Sequence, residues 1–246
     1  MDIEKIISEI TREVERVPLR EAAPLLNVNI HDIPAKLEHS MLNPDITRQK
    51  ILEECQKSIQ WGFAAICVAP YYVGDAAGAL LGTGVAVCSA VGFPHGCVTA
   101  KGKLADLKEC ILAGAAEVDV AMNMLAVKSG DLDAVKSEFE QVMNIAQGKA
   151  KIKAVFEHSV YTEGEKIAVL NIAKSSGAQF VKIQNVLSGK AADPEDVRFV
   201  RNVVGRAMQI KIDGGVKTVE HAARLFAAGA DRIGLTASVE IAKQCR

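Results

Sequence analysis

Apolar positions along the chain follow two periods in turn. Short β-rich runs with every-second-position alternation fall at 35–42, 63–69, 85–92, 117–123, 152–158, 180–184, 209–213 and 232–236, and read as strands. Between them, 47–60, 99–113, 131–147, 162–175, 193–204 and 218–228 carry Leu and Ala at helical spacing among Glu, Lys and Gln, which predicts amphipathic helices. Residues 2–16 and 18–26 read as two further amphipathic helices that precede this alternation.

The punctuation agrees with the periods. Ala113-Gly114-Ala115, Ser176-Gly177-Ala178 and Ala228-Gly229-Ala230 each place glycine where a helix C-terminus turns left-handed, and a strand follows within a few positions. Helix starts are marked by Asp45 or Thr47, Thr99, Thr162, Asp193-Pro194-Glu195 and Thr218. Strand–helix units with no linker between them imply one parallel α/β domain. An open doubly wound sheet would be expected to carry G-x-G-x-x-G after a strand; the glycine cluster at 78–84 lacks that spacing. Eight strands favour a closed (β/α)8 TIM barrel over 35–246, with an N-terminal helical extension over 1–34.

Composition narrows the class. The 246 residues carry 29 Lys+Arg against 30 Asp+Glu, a net charge of −1, which argues against nucleic acid or an anionic membrane as the main partner. The longest apolar stretch, around 85–91, is far short of the ~20 residues of a membrane helix, and MDIEKIISEI is not expected to be a secretory signal. None of the six cysteines forms C-x-x-C, and Cys67 and Cys88 lie inside apolar runs, so free thiols in a reducing cytoplasm are expected.

Charge inside the strands carries the functional information. Val118, Val120 and Met122 face the helices, which leaves Asp119 and Asn123 inward. By the same alternation Lys153 and Glu157, Lys182 and Gln184, and Lys211 and Asp213 face the lumen. An ionised side chain loses hydration on burial, so charges in mid-strand are unusual. A lysine among apolar walls with a second cation nearby is expected to have a lowered pKa. The neutral amine is what Schiff-base chemistry with a carbonyl requires, and Asp119 is placed to shuttle protons. The plainer alternative is a structural ion network in which Lys182, Lys211, Asp119 and Glu157 neutralise one another. Residues at the C-terminal ends of barrel strands are usually the catalytic ones, which ranks that alternative lower.

At these residues the chain resembles the deoxyribose-phosphate aldolase family of class I, Schiff-base aldolases. The likeness runs from Lys36 to Ala237 and includes Glu38-His39-Ser40-Met41-Leu42, Gly62-Phe63-Ala64-Ala65-Ile66-Cys67-Val68, Val91-Gly92-Phe93-Pro94-His95-Gly96, Gly114-Ala115-Ala116-Glu117-Val118-Asp119, Phe180-Val181-Lys182 and Gly214-Gly215-Val216. The resemblance implies that Lys182 forms the imine, Lys211 lowers its pKa, Asp119 relays protons and Cys67 lies close by. It implies an aldehyde-lyase of carbohydrate metabolism that uses no metal and no cofactor.

Three segments depart from the family. Where it reads Thr-Ser-Thr-Gly after the imine lysine, this chain has Ile183-Gln184-Asn185-Val186; where it reads Ala-Ser-Gly-Gly, Ile212-Asp213-Gly214-Gly215 stands; and Gly-Ala-Ser-Ser becomes Gly234-Leu235-Thr236-Ala237. In the family these segments form the phosphate-binding rim, which works through glycine backbone and small hydroxyls. Asp213 would oppose a phosphate unless it pairs with Lys190 or Lys217. Glu38 and Asn43 also replace the family's usual Asp and Lys. The expected substrate contacts are Cys67, Glu38, Asn123, Glu157, Asn185, Lys190, Asp213, Gly214, Gly215, Gly234 and Thr236.

The five histidines show no metal-ligand spacing, and His39 and His158 are expected to be hydrogen-bonded within the barrel wall. The leading expectation is a Schiff-base aldolase acting on a small carbonyl substrate, with an acceptor other than glyceraldehyde 3-phosphate. The alternatives are an ordinary 2-deoxyribose-5-phosphate aldolase and, from another class, a silent metabolite-binding barrel, for which two facing lysines have no use. The N-terminal helices are open to two uses, capping the barrel bottom or meeting a second copy in a homodimer or higher homo-oligomer.

Overall fold

The computed structural model describes residues 28–246; the helices expected at 2–16 and 18–26 lie outside the described residues. Eight parallel strands close into a barrel in chain order, each pairing with its sequence neighbours and β1 with β8. They are β1 Leu37–Met41, β2 Ala65–Val68, β3 Ala86–Val91, β4 Glu117–Ala121, β5 Lys151–Glu157, β6 Phe180–Gln184, β7 Gln209–Asp213 and β8 Arg232–Leu235. The helices are α1 Arg48–Trp61, α2 Val73–Leu80, α3 Ala100–Leu112, α4 Met124–Lys128, α5 Leu132–Ala146, α6 Glu163–Ser175, α7 Pro194–Val204, α8 Val219–Ala227 and α9 Ser238–Gln244. This is the expected (β/α)8 barrel. No helix among the described residues is long and apolar enough to cross a membrane.

The caps explain most of the boundaries. Thr47, Thr99, Thr162, Asp193 and Thr218 each accept a hydrogen bond from an amide in the first turn that follows, and each contributes about 1 kcal/mol. The strand expected at 63–69 narrows because Gly62, at φ 64°, and Phe63 spend their amides closing α1, Phe63 donating to the Ser58 carbonyl at 3.0 Å. The one expected at 35–42 starts later because Pro34–Lys36 forms a 3-10 turn. Helices α4 and α9 lie outside the expected set. Helix α2 carries two glycines and little intrinsic propensity, and is held instead by burying Val73, Ala76 and Leu80.

Two cores result. Between strands and helices lie Ile51, Leu107, Phe139, Ile152, Phe156, Leu170, Ile210, Ile212 and Leu225, all buried. Within the barrel, β2 and β3 contribute a small apolar group of Ala65, Cys67 and Cys88, with Ala86 and, just past β1, Leu42 beside it. The lumen face of β4–β8 is filled by charge. Phe180 supplies the bulk there, with Lys153 Nζ 5.7 Å and the Arg232 guanidinium 5.1 Å from its ring centroid.

Candidate active site

Four carboxylates and four cations interleave inside the barrel. At the base, Lys153 bonds Glu117 at 2.7 Å and lies 3.2 Å from both Glu38 and Asp119. Arg232 donates to Glu117 and, at 3.3 Å, to Glu38. One tier higher, Lys211 donates to Glu38 and, at 2.7 Å, to Asp119 Oδ2. Lys182 donates to that same Asp119 oxygen at 2.9 Å and to Asp213 at 2.6 Å. Lys182 and Lys211 are register partners on adjacent strands, so their side chains lie side by side.

This lattice is buried. Lys153, Lys211, Glu38 and Asp119 are fully buried and Lys182 is 1% exposed, whereas the Asp213 side chain keeps 19% of its surface. Burial alone would push each group toward its neutral form, but the opposite charges outweigh it. Burial raises the Glu38 carboxyl, yet Lys153 and Lys211 bring it down to about 2. Burial likewise raises Asp119, and Lys182, Lys211 and Lys153 hold it well below the carboxylate range. The lysines correct the expectation of a lowered pKa at Lys182. Burial and the Lys211 cation do push its amine down, but Asp119 and Asp213 together lift it above the ordinary lysine value. Asp119 and Asp213 thus favour the ammonium form of Lys182.

Donor atoms of Glu38, Cys67, Cys88 and Asp119 lie within 4.8 Å of one another. Both carboxylates are already bonded to lysines, and Cys88 itself accepts from Lys153 at 3.1 Å. This is the chemistry of an ion network with two thiols beside it. Burial, the Cys67 side chain and Asp119 raise the Cys88 thiol.

The mouth departs from expectation at several places. Glu157 is not part of the ion network: its oxygens accept from the amides of Val186 and Leu187 at 2.9 and 3.3 Å and from the Ser159 hydroxyl at 2.6 Å. Asn123 does not line the lumen, because β4 ends at Ala121 and the Asn123 side chain caps α4 through the Ala126 amide. Asn185 is tied to Asp196 at 3.1 Å, and Asp196 also meets His158 at 3.2 Å. His39 bonds Glu54 at 2.9 Å, so both histidines are wall residues. The ion-pair partners of Asp213 are Lys182 and Lys211, not Lys190 or Lys217, and Lys190 is exposed on the β6–α7 loop with Gly189. Thr236 is exposed beyond β8.

The glycines have steric roles. A Cβ on Gly234 would overlap Asp213 Oδ1 and approach Lys211 Cε to 2.8 Å, so β8 is hollowed there to admit both side chains. Gly215, at φ 66°, faces Ala191 at 2.7 Å, which leaves no room for a side chain, while Gly214 accepts from the Ala192 amide.

Sequence reasoning missed Glu117, Arg232, Cys88, Phe93, Ser40 and gave Lys153 and Gln184 no role. Glu117 was findable, since it lies two positions from the inward Asp119, and Ser40 and Arg232 lie two positions from the expected substrate contacts Glu38 and Gly234. Phe93 was not. It sits in the loop after β3, and only closure of the barrel carries its ring to 5.0 Å from Lys182 Nζ. Ser40 Oγ, Gln184 Oε1 and Asp213 Oδ1 are buried polar atoms without a hydrogen-bond partner among the described residues, all at lumen-facing positions near the strands' C-terminal ends. Polar atoms left unpaired at that end of a barrel are what a substrate would satisfy.

Comparison with known proteins agrees with this geometry. Residues 35–240 match the model of the DeoC/LacD family aldolases. The chain is 38% identical over 211 residues to the deoxyribose-phosphate aldolase of Geobacillus sp. (strain WCH70), covering 86% of this chain and 95% of that one. It superposes with a TM-score of 0.89, at 28% identity, on a crystal structure from Coccidioides immitis assigned to deoxyribose-phosphate aldolase, with 99% and 98% of the two chains covered. A tetrameric deoxyribose phosphate aldolase from Aeropyrum pernix has the same fold, with a TM-score of 0.80 over 95% of each chain at 23% identity. A closed barrel, a paired-lysine lumen and these likenesses converge: the chain belongs to the DeoC/LacD family of aldolases.

Proposed function

We propose that this class I aldolase forms its imine on Lys182, with Lys211 tuning the amine and Asp119 holding the two lysines together. The observation that carries this is the position of Lys182. Of the two register-paired lysines of the upper tier, it is the one whose Nζ meets a partly exposed ring, Phe93, at 5.0 Å. A carbonyl donor entering past Phe93 meets this amine first. Lys211 and Lys153 are each bound by Glu38 as well as Asp119. The donor's enamine would then add to an acceptor aldehyde, or the reverse cleavage would release one.

The acceptor we infer is not phosphorylated. Four amides of the β6–α7 loop are occupied from within: Val186 and Leu187 by Glu157, Gly189 by the Asn185 carbonyl and Lys190 by the Ser188 hydroxyl. A loop that cradles phosphate needs such amides free. Val186 and Leu187 expose their side chains there instead, and Asp213 adds negative charge. The unpaired Ser40, Gln184 and Asp213 atoms suit the hydroxyls of a neutral polyol aldehyde. We place the enzyme in a homo-oligomer, by analogy with its tetrameric fold relative.

Trapping tests the imine directly. Acetaldehyde with borohydride should leave one reduced adduct, mapped to Lys182 by peptide mass and abolished in Lys182→Ala. An adduct spread over surface lysines would reject the mechanism. Turnover of 2-deoxyribose 5-phosphate should be weak beside that of a plain polyol aldehyde adduct, and the reverse ranking would restore the phosphate reading.

A further inference from the structure

Imine formation needs a group to take a proton from Lys182, and the two carboxylates bonded to it are unequal. Asp119 is fully buried and touches three ammonium groups: Lys182 at 2.9 Å, Lys211 at 2.7 Å and Lys153 at 3.2 Å. A proton placed there would displace three favourable ion contacts and would have no route to water. Asp213, the last residue of β7, meets Lys182 at 2.6 Å and has one other cation among the described residues, Lys211, at 3.8 Å. Its Oδ1 has no hydrogen-bond partner among the described residues, and the side chain reaches the solvent side of the lattice. Gly234 opposite it on β8 leaves the space that lets the carboxylate stand against Lys182. Charged groups facing Asp213 are thus Lys182 from β6 and Lys211 from β7, with Asp119 behind them on β4.

We propose that Asp213 is the catalytic acid–base that carries protons to and from the Lys182 nitrogen, the relay role that resemblance assigns to Asp119, while Asp119 acts as a fixed counter-charge. The proposal rests on the reading of Lys182 as the imine residue.

The steps balance. Asp213 Oδ2 takes one proton from the Lys182 ammonium, giving a neutral amine and a carboxylic acid. The amine's lone pair attacks the carbonyl carbon as the C=O π pair moves onto oxygen. Proton transfer from nitrogen to that oxygen gives a neutral carbinolamine. Protonated Asp213 then gives its proton to the hydroxyl, the C–O bond breaks, and water leaves. The nitrogen lone pair forms the C=N bond, so one ammonium and one carbonyl have become one iminium and one water. Asp213 is again a carboxylate, now beside the iminium charge. Hydrolysis runs the same steps backwards, and no oxidant or other co-reactant is needed.

Asp213→Asn separates this role from that of a counter-ion, because the two predict opposite signs. A counter-ion only holds Lys182 protonated, so removing it frees the amine and speeds trapping. A proton carrier is needed for the step, so removing it slows trapping. The experiment mixes acetaldehyde with the full chain at neutral pH, quenches with borohydride at timed intervals, and reads the Lys182 adduct by intact mass. The expected result is a rate constant about a hundredfold lower in Asp213→Asn. Asp213→Ala, whose shortened side chain leaves space at the amine, should be slow as well and should recover in proportion to added formate. A trapping rate in either folded variant equal to or above wild type, or an Ala variant indifferent to formate, overturns the proposal. If the wild-type chain itself forms no adduct at Lys182, the imine reading falls and takes this one with it. A normal wild-type adduct with an unimpaired Asn variant removes only the role of Asp213.

Discussion

Replacing Lys211 with Leu probes how the barrel sets the reactivity of Lys182. The two ammoniums share Asp119 Oδ2 at 2.9 and 2.7 Å, which places them within about 6 Å of each other. At that separation and an effective dielectric of ~20, their repulsion is about 3 kcal/mol, equivalent to a factor of about a hundred in the neutral-amine population. Lys211 is the cation that pulls the Lys182 amine down against Asp119 and Asp213. In Lys211→Leu that pull is gone, so the neutral fraction at pH 7 should fall by up to about a hundredfold, and adduct formation with it. In both proteins the rate should climb about tenfold per pH unit toward the amine's own pKa, with the variant below wild type over that range. Stability changes as well, because Glu38 and Asp119 each lose a partner, at a cost of about 3–5 kcal/mol for a broken buried pair. For a chain of this length that is roughly 6–20 °C in Tm. Lys211→Arg keeps the cation and should recover much of both losses. The assay is borohydride trapping across pH on samples whose melting curves show them folded. A Lys211→Leu rate and pH profile superimposable on wild type would refute the coupling.

Other outcomes follow from neighbouring contacts. Gly234→Ala sets a methyl against the Asp213 carboxylate and 2.8 Å from Lys211 Cε, so it should cost about 1–3 kcal/mol by urea titration and slow trapping; unchanged values on both counts would show that the side chains have room to move. Glu157→Ala releases the Val186 and Leu187 amides, and kcat/KM for a phosphorylated over a plain substrate should rise about tenfold; an unaltered ratio would mean those amides do not decide phosphate handling. For acid stability, Glu38, at about 2, titrates below its unfolded value of 4.5. Its contribution is therefore full above pH ~4.5 and lost as pH falls through about 2. Urea midpoints should decline across that window, less steeply in Glu38→Gln, and identical slopes in the two proteins would show that Glu38 is not linked to the loss.

Periodicity along the chain determined the barrel, since alternation of period two and helical spacing are local consequences of backbone geometry. It also determined which strand residues face inward: Asp119, Lys153, Lys182 and Lys211 all meet in the lumen, because the register of a closed parallel barrel leaves a side chain only two faces. What parity could not supply is distance and company. Lys182 was expected to feel its neighbouring lysine, and it does, but Asp119 from two strands away and Asp213 from the next strand outweigh that cation. Glu157 has the right parity and a different task, because the loop after β6 folds its amides back over the carboxylate. Asn123 has the right parity in a strand that ends before reaching it. Phe93, on a loop, has no periodicity to read at all. Sequence pattern constrains the face of each residue, whereas the sign of a pKa shift and the occupant of a hydrogen bond depend on groups far apart in the chain that only barrel closure brings within a few ångströms.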